Sequence, residues 1–385
     1  KLWYNLHNVL FYIRGEYMEE NTKVEVTDKD VYKHYFSSIL IYGIVFFALA
    51  ICPGLNEQIE YDFCNYIVVL GAYYIGYVAL ALPIFLFFRP KSILESRSVA
   101  ILDFIKRQFK FGLTVEERIK NIEPKENEKQ ALVILFVKAF FGYYCVNLLC
   151  NKYILSMGYN IDFLKEFFNQ AVQYGTANGT SFGIAQYIDD TFDMWRQLIV
   201  MVITFVLGFS YLTELDLFKN RIKTVDTTPL GIISCLSCYY PFIILTDKLI
   251  PRFQEQSIPV DNFTLRIILN VLVVLAHLGM MLAVLRLGTK AGNLTNRGIV
   301  TSFPYNIVRH PEYSMNMIYI ILTTIPVMLL GEISIFGKII FTFGIGLWLY
   351  LYYLRAVTEE RNLLQDSEYR EYANKVTKRF IPKVF

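Results

Sequence analysis

Apolar residues along this chain come in long runs rather than in the short alternating stretches of a water-soluble fold. The runs lie near residues 36–52, 63–88, 131–150, 197–213, 229–247, 265–287, 314–330 and 334–354. A helix of roughly 17 to 27 residues, rising ~1.5 Å per residue, crosses a ~30 Å hydrocarbon core. The pattern therefore predicts an all-α, polytopic integral membrane protein with about eight transmembrane helices. The last two runs are joined only around Gly331-Glu332-Ile333. That short link predicts an out-and-back hairpin, which returns the chain to the side it left.

Loop charge sets the orientation. The 89–130 loop carries Arg89, Lys91, Arg97, Lys106, Arg107, Lys110, Arg118, Lys120, Lys125 and Lys129. Lys219, Arg221 and Lys223 follow the fourth run, Lys290, Arg297 and Arg309 precede the seventh, and the tail is basic again. The alternate loops are poor in Lys and Arg. By the positive-inside rule both termini are cytoplasmic. Residues 1–34 are polar and amphipathic, so no cleavable signal peptide is expected there. Two regions are expected: an N-terminal membrane region over 1–215 with four unassigned spans, and a C-terminal membrane domain with a cytoplasmic tail over 216–385. The net charge of +3 sums over both faces and says little about partners. The bilayer is the expected surround, and no nucleic-acid partner is expected.

Cysteine usage changes little. Cys145, Cys150, Cys235 and Cys238 sit in apolar runs, where a small hydrophobe is the ordinary reading. Cys235 and Cys238 have CxxC spacing without a second pair, so no metal site is expected. Cys52 and Cys64 flank a short outer loop and are free to pair in an oxidising compartment. Asn178-Gly179-Thr180 and Asn262-Phe263-Thr264 are glycosylation sequons by pattern alone. Residues 99–113 alternate apolar with basic positions, as in a helix lying on the cytoplasmic leaflet or packed on the bundle. The outer loop 152–196 shows a helical pattern over Ile161–Tyr174. Lys138, Asn147 and His277 fall inside spans, where a functional and a packing role are both open.

The candidate chemistry lies at the C-terminal hairpin. Before the seventh run the chain reads Pro304-Tyr305-Asn306-Ile307-Val308-Arg309-His310-Pro311-Glu312-Tyr313, and after the eighth it reads Glu359-Glu360-Arg361. Pro311 keeps His310 out of the helix and starts the helix itself. The free N–H groups at such a start attract anions, and Arg309 and His310 add donors beside them. The hairpin brings Glu359 and Glu360 to the same face, where carboxylates accept from an ammonium or from ribose hydroxyls. Tyr305 and Tyr313 are placed to stack on a base or to face a sulfonium, a contact worth ~1–2 kcal/mol. Together these groups suit S-adenosylmethionine. Each residue alone also fits ordinary interfacial anchoring.

The segment from Ile299 to Tyr313 resembles the cofactor motif of the isoprenylcysteine carboxyl methyltransferase and phospholipid methyltransferase superfamily. So does the tail: Glu359-Glu360-Arg361-Asn362-Leu363, Glu368-Tyr369-Arg370-Glu371-Tyr372, Val376, and Arg379-Phe380-Ile381-Pro382. The likeness covers about residues 265–385. It implies an S-adenosylmethionine pocket open toward lipid, built by Tyr305, Val308, Arg309, His310, Pro311 and Tyr313 with Glu359 and Glu360. The implied activity is methyl transfer to a lipid or lipid-linked acceptor at the cytoplasmic leaflet. By position, Glu359 or Glu360 is the nearest base for an amine acceptor, and Arg355 and Arg361 are open to two roles, neutralising an anionic acceptor or snorkelling to anchor the helix at the cytoplasmic face. The chain departs from the family pattern at Phe303, at Ser314-Met315 and at Gln365-Asp366-Ser367, which leaves the acceptor open. One alternative is an NADPH-dependent enzyme similar to the sterol reductases, which would favour more basic residues and an Arg-Asp pair in place of Glu359-Glu360. The other is a transporter or structural membrane protein.

Overall fold

The computed structural model describes residues 25–51, 64–110, 117, 121–150, 165, 169, 180–215, 218–250, 252 and 260–382. The protein is an all-α integral membrane protein. Among the described residues seven helices are long and apolar enough to cross a bilayer. The chain divides into two compact units, one of Lys1–Cys52 with Ile67–Leu132 and one of Pro53–Tyr66 with Val133–Phe385. The division falls at Leu132, not at the expected 215/216, because the helix before residue 215 packs with the C-terminal elements.

In the first unit, α1 (Asp28–Ile51) and α2 (Cys64–Phe88) are apolar rods. Thr27 and Asp30 cap α1 reciprocally: the Asp30 N–H donates to Thr27 Oγ1 and the Thr27 N–H to Asp30 Oδ2. Ser96 Oγ accepts from the Val99 N–H and starts α3 (Arg97–Gln108). α3 packs on α1, where Ser38 Oγ donates to Ser98 Oγ across 3.0 Å and His34 Nδ1 lies 2.7 Å from Ser96 Oγ. The stretch 99–113, expected to lie on the leaflet or to pack on the bundle, thus packs on α1, and its last residues, 111–113, lie outside the described residues.

The second unit holds the rest of α4 (Glu126–Leu148), then α5 (Thr180–Leu212), α6 (Pro229–Leu236), α7 (Phe242–Leu249), α8 (Phe263–Leu287), α9 (Pro311–Leu330), α10 (Ile335–Leu363) and α11 (Ser367–Lys375). α5 and α8 run parallel. Arg266 near the start of α8 pairs with Asp189 on α5 at 2.7 Å, and Ser210 at the end of α5 donates to the Thr289 carbonyl just beyond α8. Two parallel helices in sequence require a return passage between them. The apolar run 229–247 makes it as two eight-residue helices, α6 and α7, rather than as one continuous span. At ~1.5 Å per residue each is about 12 Å long, too short to cross alone. The break falls at Pro241, which cannot donate to a helix ladder. The passage follows α10: Asp226 pairs with Arg361, Tyr239 lies under Arg355, and the Ile250 carbonyl accepts from Trp348 Nε1.

α9 and α10 form the expected hairpin. Thr342 Oγ1 donates to Met328 Sδ near its turn, and Tyr352 donates to Asn316 Oδ1 halfway along. The loops after α5 and α8 therefore meet at the open end of the hairpin, where β1 (Thr224–Val225) pairs antiparallel with β2 (Thr295–Asn296).

The polar residues inside spans are satisfied by neighbours. Lys138 Nζ donates to Glu214 at 3.2 Å, Asn147 donates to the Tyr143 hydroxyl, and His277 lies 2.9 Å from the Val273 carbonyl with its ring edge-on to Tyr319. Cys145 and Cys235 belong to a buried apolar cluster with Phe141 and Tyr211. Asn262 caps α8. Cys52, Asn178 and the Ile161–Tyr174 pattern, residues 165 and 169 apart, lie outside the described residues.

Candidate functional site

The open end of the α9–α10 hairpin carries a partly open cavity of about 890 Å3, counted to its mouth. Its wall is built from α8, α9, α10 and α11, from the loop between α8 and α9, and from Leu207 of α5 and Tyr239 between α6 and α7.

His310 is the residue before the α9 helix, with φ −125°, and Pro311 is the first residue within it. The main chain before α9 is pinned by the tail: the Arg309 N–H donates to the Lys378 carbonyl and the His310 N–H to the Arg379 carbonyl, both at 2.9 Å. Ser314 Oγ donates to the Phe380 carbonyl. This extended pairing explains why the Arg309-His310 pair and the Arg379-Phe380 segment form one structure although some seventy residues separate them.

The twin glutamates differ in role. Glu360 is buried and takes three partners: it accepts from Arg309 Nε at 2.8 Å and from Arg379 Nε at 2.9 Å, and His310 Nε2 lies 3.0 Å from it. It does not line the cavity. Glu359 lines the cavity and accepts from the Tyr313 hydroxyl at 2.8 Å. His310 thus stands between the two, its Nδ1 3.9 Å from Glu359, and its ring is stacked on Tyr313 with centroids 5.3 Å apart and planes within 4°.

Of the other expected cofactor residues, Tyr305, Arg309, His310, Pro311 and Tyr313 line the cavity, whereas Val308 is buried away from it. The two arginines expected at the acceptor do not line it. Arg355 is buried, packs on the rings of Tyr313, Tyr352 and Tyr239 at 4.8, 5.5 and 5.7 Å, and donates to Asn293 Oδ1. Arg361 is tied to Asp226 at 3.0 Å and to Thr228. Arg361 belongs to a clasp between α10 and the start of α6, although Glu359 and Leu363 on either side of it along α10 line the cavity.

Other residues complete the wall without having been assigned to a pocket from the sequence: Glu312, Asn293, Thr295, Lys290, Arg297, Tyr369 and Tyr372. Glu312 was in plain view between Pro311 and Tyr313. Tyr369 and Tyr372 recur at a three-residue spacing in the tail, which places both on one face of α11. The loop residues around Asn293 carried no such signal. Burial, with the carboxylates of Glu312 and Glu359 nearby, holds the Tyr305 phenol well above its ordinary range. Burial does the same for Tyr369 and Tyr372. All three therefore present neutral rings and hydroxyls. Tyr305 donates to the Ala283 carbonyl and Tyr372 to the Tyr305 carbonyl, while the Tyr369 hydroxyl and Thr295 Oγ1 are buried without a hydrogen-bond partner.

The arrangement offers stacking surfaces, neutral donors, an acidic pair and basic groups in one recess. No protein-family model, curated protein or solved structure matches this chain.

Proposed function

We propose that this protein is a membrane S-adenosylmethionine-dependent methyltransferase whose acceptor is a lipid or a lipid-linked group. One observation carries the reading: the hairpin's basic motif and Glu359 share a cavity walled by Tyr305, Tyr313, Tyr369 and Tyr372. An adenine needs a ring face, a ribose needs carboxylate and hydroxyl partners, and a sulfonium gains from aromatic faces by cation–π attraction. The basic loops that flank the cavity support a mouth at the cytoplasmic leaflet, by the positive-inside rule.

Methyl transfer is an in-line displacement at carbon. The protein has to align acceptor, methyl and sulfur and to keep water out, and alignment alone supplies several kcal/mol. Glu360 acts as the fastener that holds Arg309, His310 and Arg379 in place. Glu359, fixed by the Tyr313 hydroxyl, faces the ligand. Arg355 positions Tyr313 from behind and Asn293 from the side.

A nicotinamide dinucleotide phosphate is the second reading, favoured by Lys290 and Arg297 on the same wall. Calorimetric titration of the detergent-solubilised protein with S-adenosylhomocysteine and, separately, with NADPH distinguishes the two. Saturable binding of S-adenosylhomocysteine alone is expected. Binding of NADPH alone would overturn the methyl-donor reading.

A further inference from the structure

Arg309 is the cation that the sequence offers to an anionic ligand, and the fold uses it internally. Its Nε and Nη2 donate to Glu360 at 2.8 and 3.3 Å, and its Nη1 donates to the Val376 carbonyl at 3.2 Å. His310 Nε2 lies 3.0 Å from the same carboxylate. Lys290 and Arg297, on the loop between α8 and α9, also line the recess. That loop leaves room around its polar groups. A Cβ at Gly292 would stand 2.8 Å from Thr295 Oγ1 and 3.4 Å from Arg297 Nε, so a hydroxyl and a guanidinium converge over a residue without a side chain. A Cβ at Gly298 would stand 3.2 Å from Lys290 Nζ. Leu294 is held at φ +61°, a conformation that side chains rarely adopt, and the Asp226 N–H fixes it there by donating to its carbonyl. Thr295 is 6% and Arg297 2% exposed, and among the described residues Thr295 Oγ1 has no hydrogen-bond partner. A buried hydroxyl in that state costs stability, and a ligand oxygen removes the cost.

This loop is anchored from within the membrane. Lys138 on α4 donates to Glu214 Oε2 at 3.2 Å, and Glu214 Oε1 accepts from the Ile222 N–H at 2.9 Å. Asn220 closes the same segment, accepting from the Leu215 N–H and donating to the Thr213 carbonyl. Its own carbonyl accepts from Arg297 Nη1 at 3.2 Å. A chain of bonds therefore runs from an intramembrane lysine to a buried cation of the cavity wall.

Resting on the methyl-donor reading, we infer that Lys290, Thr295 and Arg297 form the subsite for the carboxylate at the amino-acid end of the donor, with Lys138 as the positioning residue that seats Arg297. A guanidinium and an ammonium offer charge-assisted hydrogen bonds to carboxylate oxygens, and the Thr295 hydroxyl adds a neutral donor. The start of α9 holds no such free cation, because Glu360 and the tail have taken Arg309. The carboxylate is thus held by the α8–α9 loop, and Glu360 serves the wall instead of the ligand.

The test is calorimetric titration of the full chain in detergent with two probes, S-adenosylhomocysteine and its decarboxylated form, which keeps the nucleoside, the thioether and the ammonium. The wild-type protein is expected to bind the first at least about tenfold more tightly, the value of a charge-assisted hydrogen bond. Arg297→Gln should lose about tenfold in affinity for S-adenosylhomocysteine and stay within about twofold for the decarboxylated probe. Thr295→Val, which removes only an unpartnered hydroxyl, should narrow the preference about threefold without lowering the melting temperature. Lys138→Met should narrow it as well, and Lys138→Arg should restore it. A merely structural role for these residues would weaken both probes alike. Equal wild-type affinity for the two probes overturns the subsite, as do parallel losses in Arg297→Gln or an undiminished preference in both Arg297→Gln and Thr295→Val. A preference untouched by Lys138→Met removes Lys138 from it. Failure of the wild-type protein to bind either probe is a separate result and rejects the methyl-donor reading itself.

Discussion

Glu359 and Glu360 are neighbours in sequence, yet a step of about 100° around the helix sends one to the cavity and the other into a cage of two arginines and His310. Their substitutions should therefore separate. Glu360→Gln leaves Arg309, His310 and Arg379 without their shared anion in a buried place, and breaking such a pair costs about 3–5 kcal/mol. A lowered melting temperature in detergent is expected, read by intrinsic tryptophan fluorescence. Glu359→Gln keeps the melting temperature within a degree or two and weakens S-adenosylhomocysteine binding about tenfold, read by calorimetry. The motif made both glutamates legible in the sequence. Their division of labour was not, because it depends on helix phase and on where Arg379 returns. Arg355 and Arg361 show the same limit: residue type and proximity suggested an acceptor site, whereas rings capture one and Asp226 the other.

At the scale of elements, the hairpin was readable because two apolar runs with a three-residue link leave few alternatives. The passage between α5 and α8 was half readable. Its hydropathy marked a crossing of the bundle, but hydropathy does not register a helix break, and Pro241 divides the run into α6 and α7. The packing of these elements depends on close approaches that sequence pattern does not announce. A Cβ at Gly279 on α8 would stand 2.8 Å from Met315 on α9. Gly279→Val should cost about 1–3 kcal/mol by overpacking, seen as a lower melting temperature. A Cβ at Gly231 would run into the Asp226 carboxylate. Gly231→Ala should release Asp226 from Arg361 and loosen the start of α6, measured as faster amide hydrogen exchange at residues 226–236 with exchange in α9 unchanged.

Across the whole second unit, the ends of α5, α8 and α10 and the starts of α6 and α9 gather at one end, and polar clasps hold their loops together. Asp366 is central to them, accepting from Lys223 at 2.9 Å and from Asn296 at 3.0 Å. Its burial opposes ionisation, but the bonds from Asn296, from Lys223 and from the Glu368 N–H outweigh it and hold its carboxyl below the usual 3.8. Since the folded value is the lower one, the stabilisation is complete above about pH 5 and is lost as pH falls through the carboxylate range. The melting temperature should drop on acidification from pH 6 to pH 3, with a shallower drop in Asp366→Asn. The hydrogen bond to Asp366 raises the Lys223 value above 10.5, so that side of the pair is unaffected by acid. The cavity between the gathered ends was not foretold, since its wall comes from residues as distant as Ala291 and Tyr372.

The central claim is that this recess binds the nucleoside of a methyl donor. Ultraviolet cross-linking of radiolabelled S-adenosylmethionine to the full chain, followed by peptide mapping, reaches it most directly. Label is expected in the peptides carrying Tyr305 to Tyr313 and Tyr369 to Tyr372, and excess S-adenosylhomocysteine should abolish it while NADPH does not. Label confined to peptides outside the cavity wall, or label that S-adenosylhomocysteine fails to displace, would contradict the account.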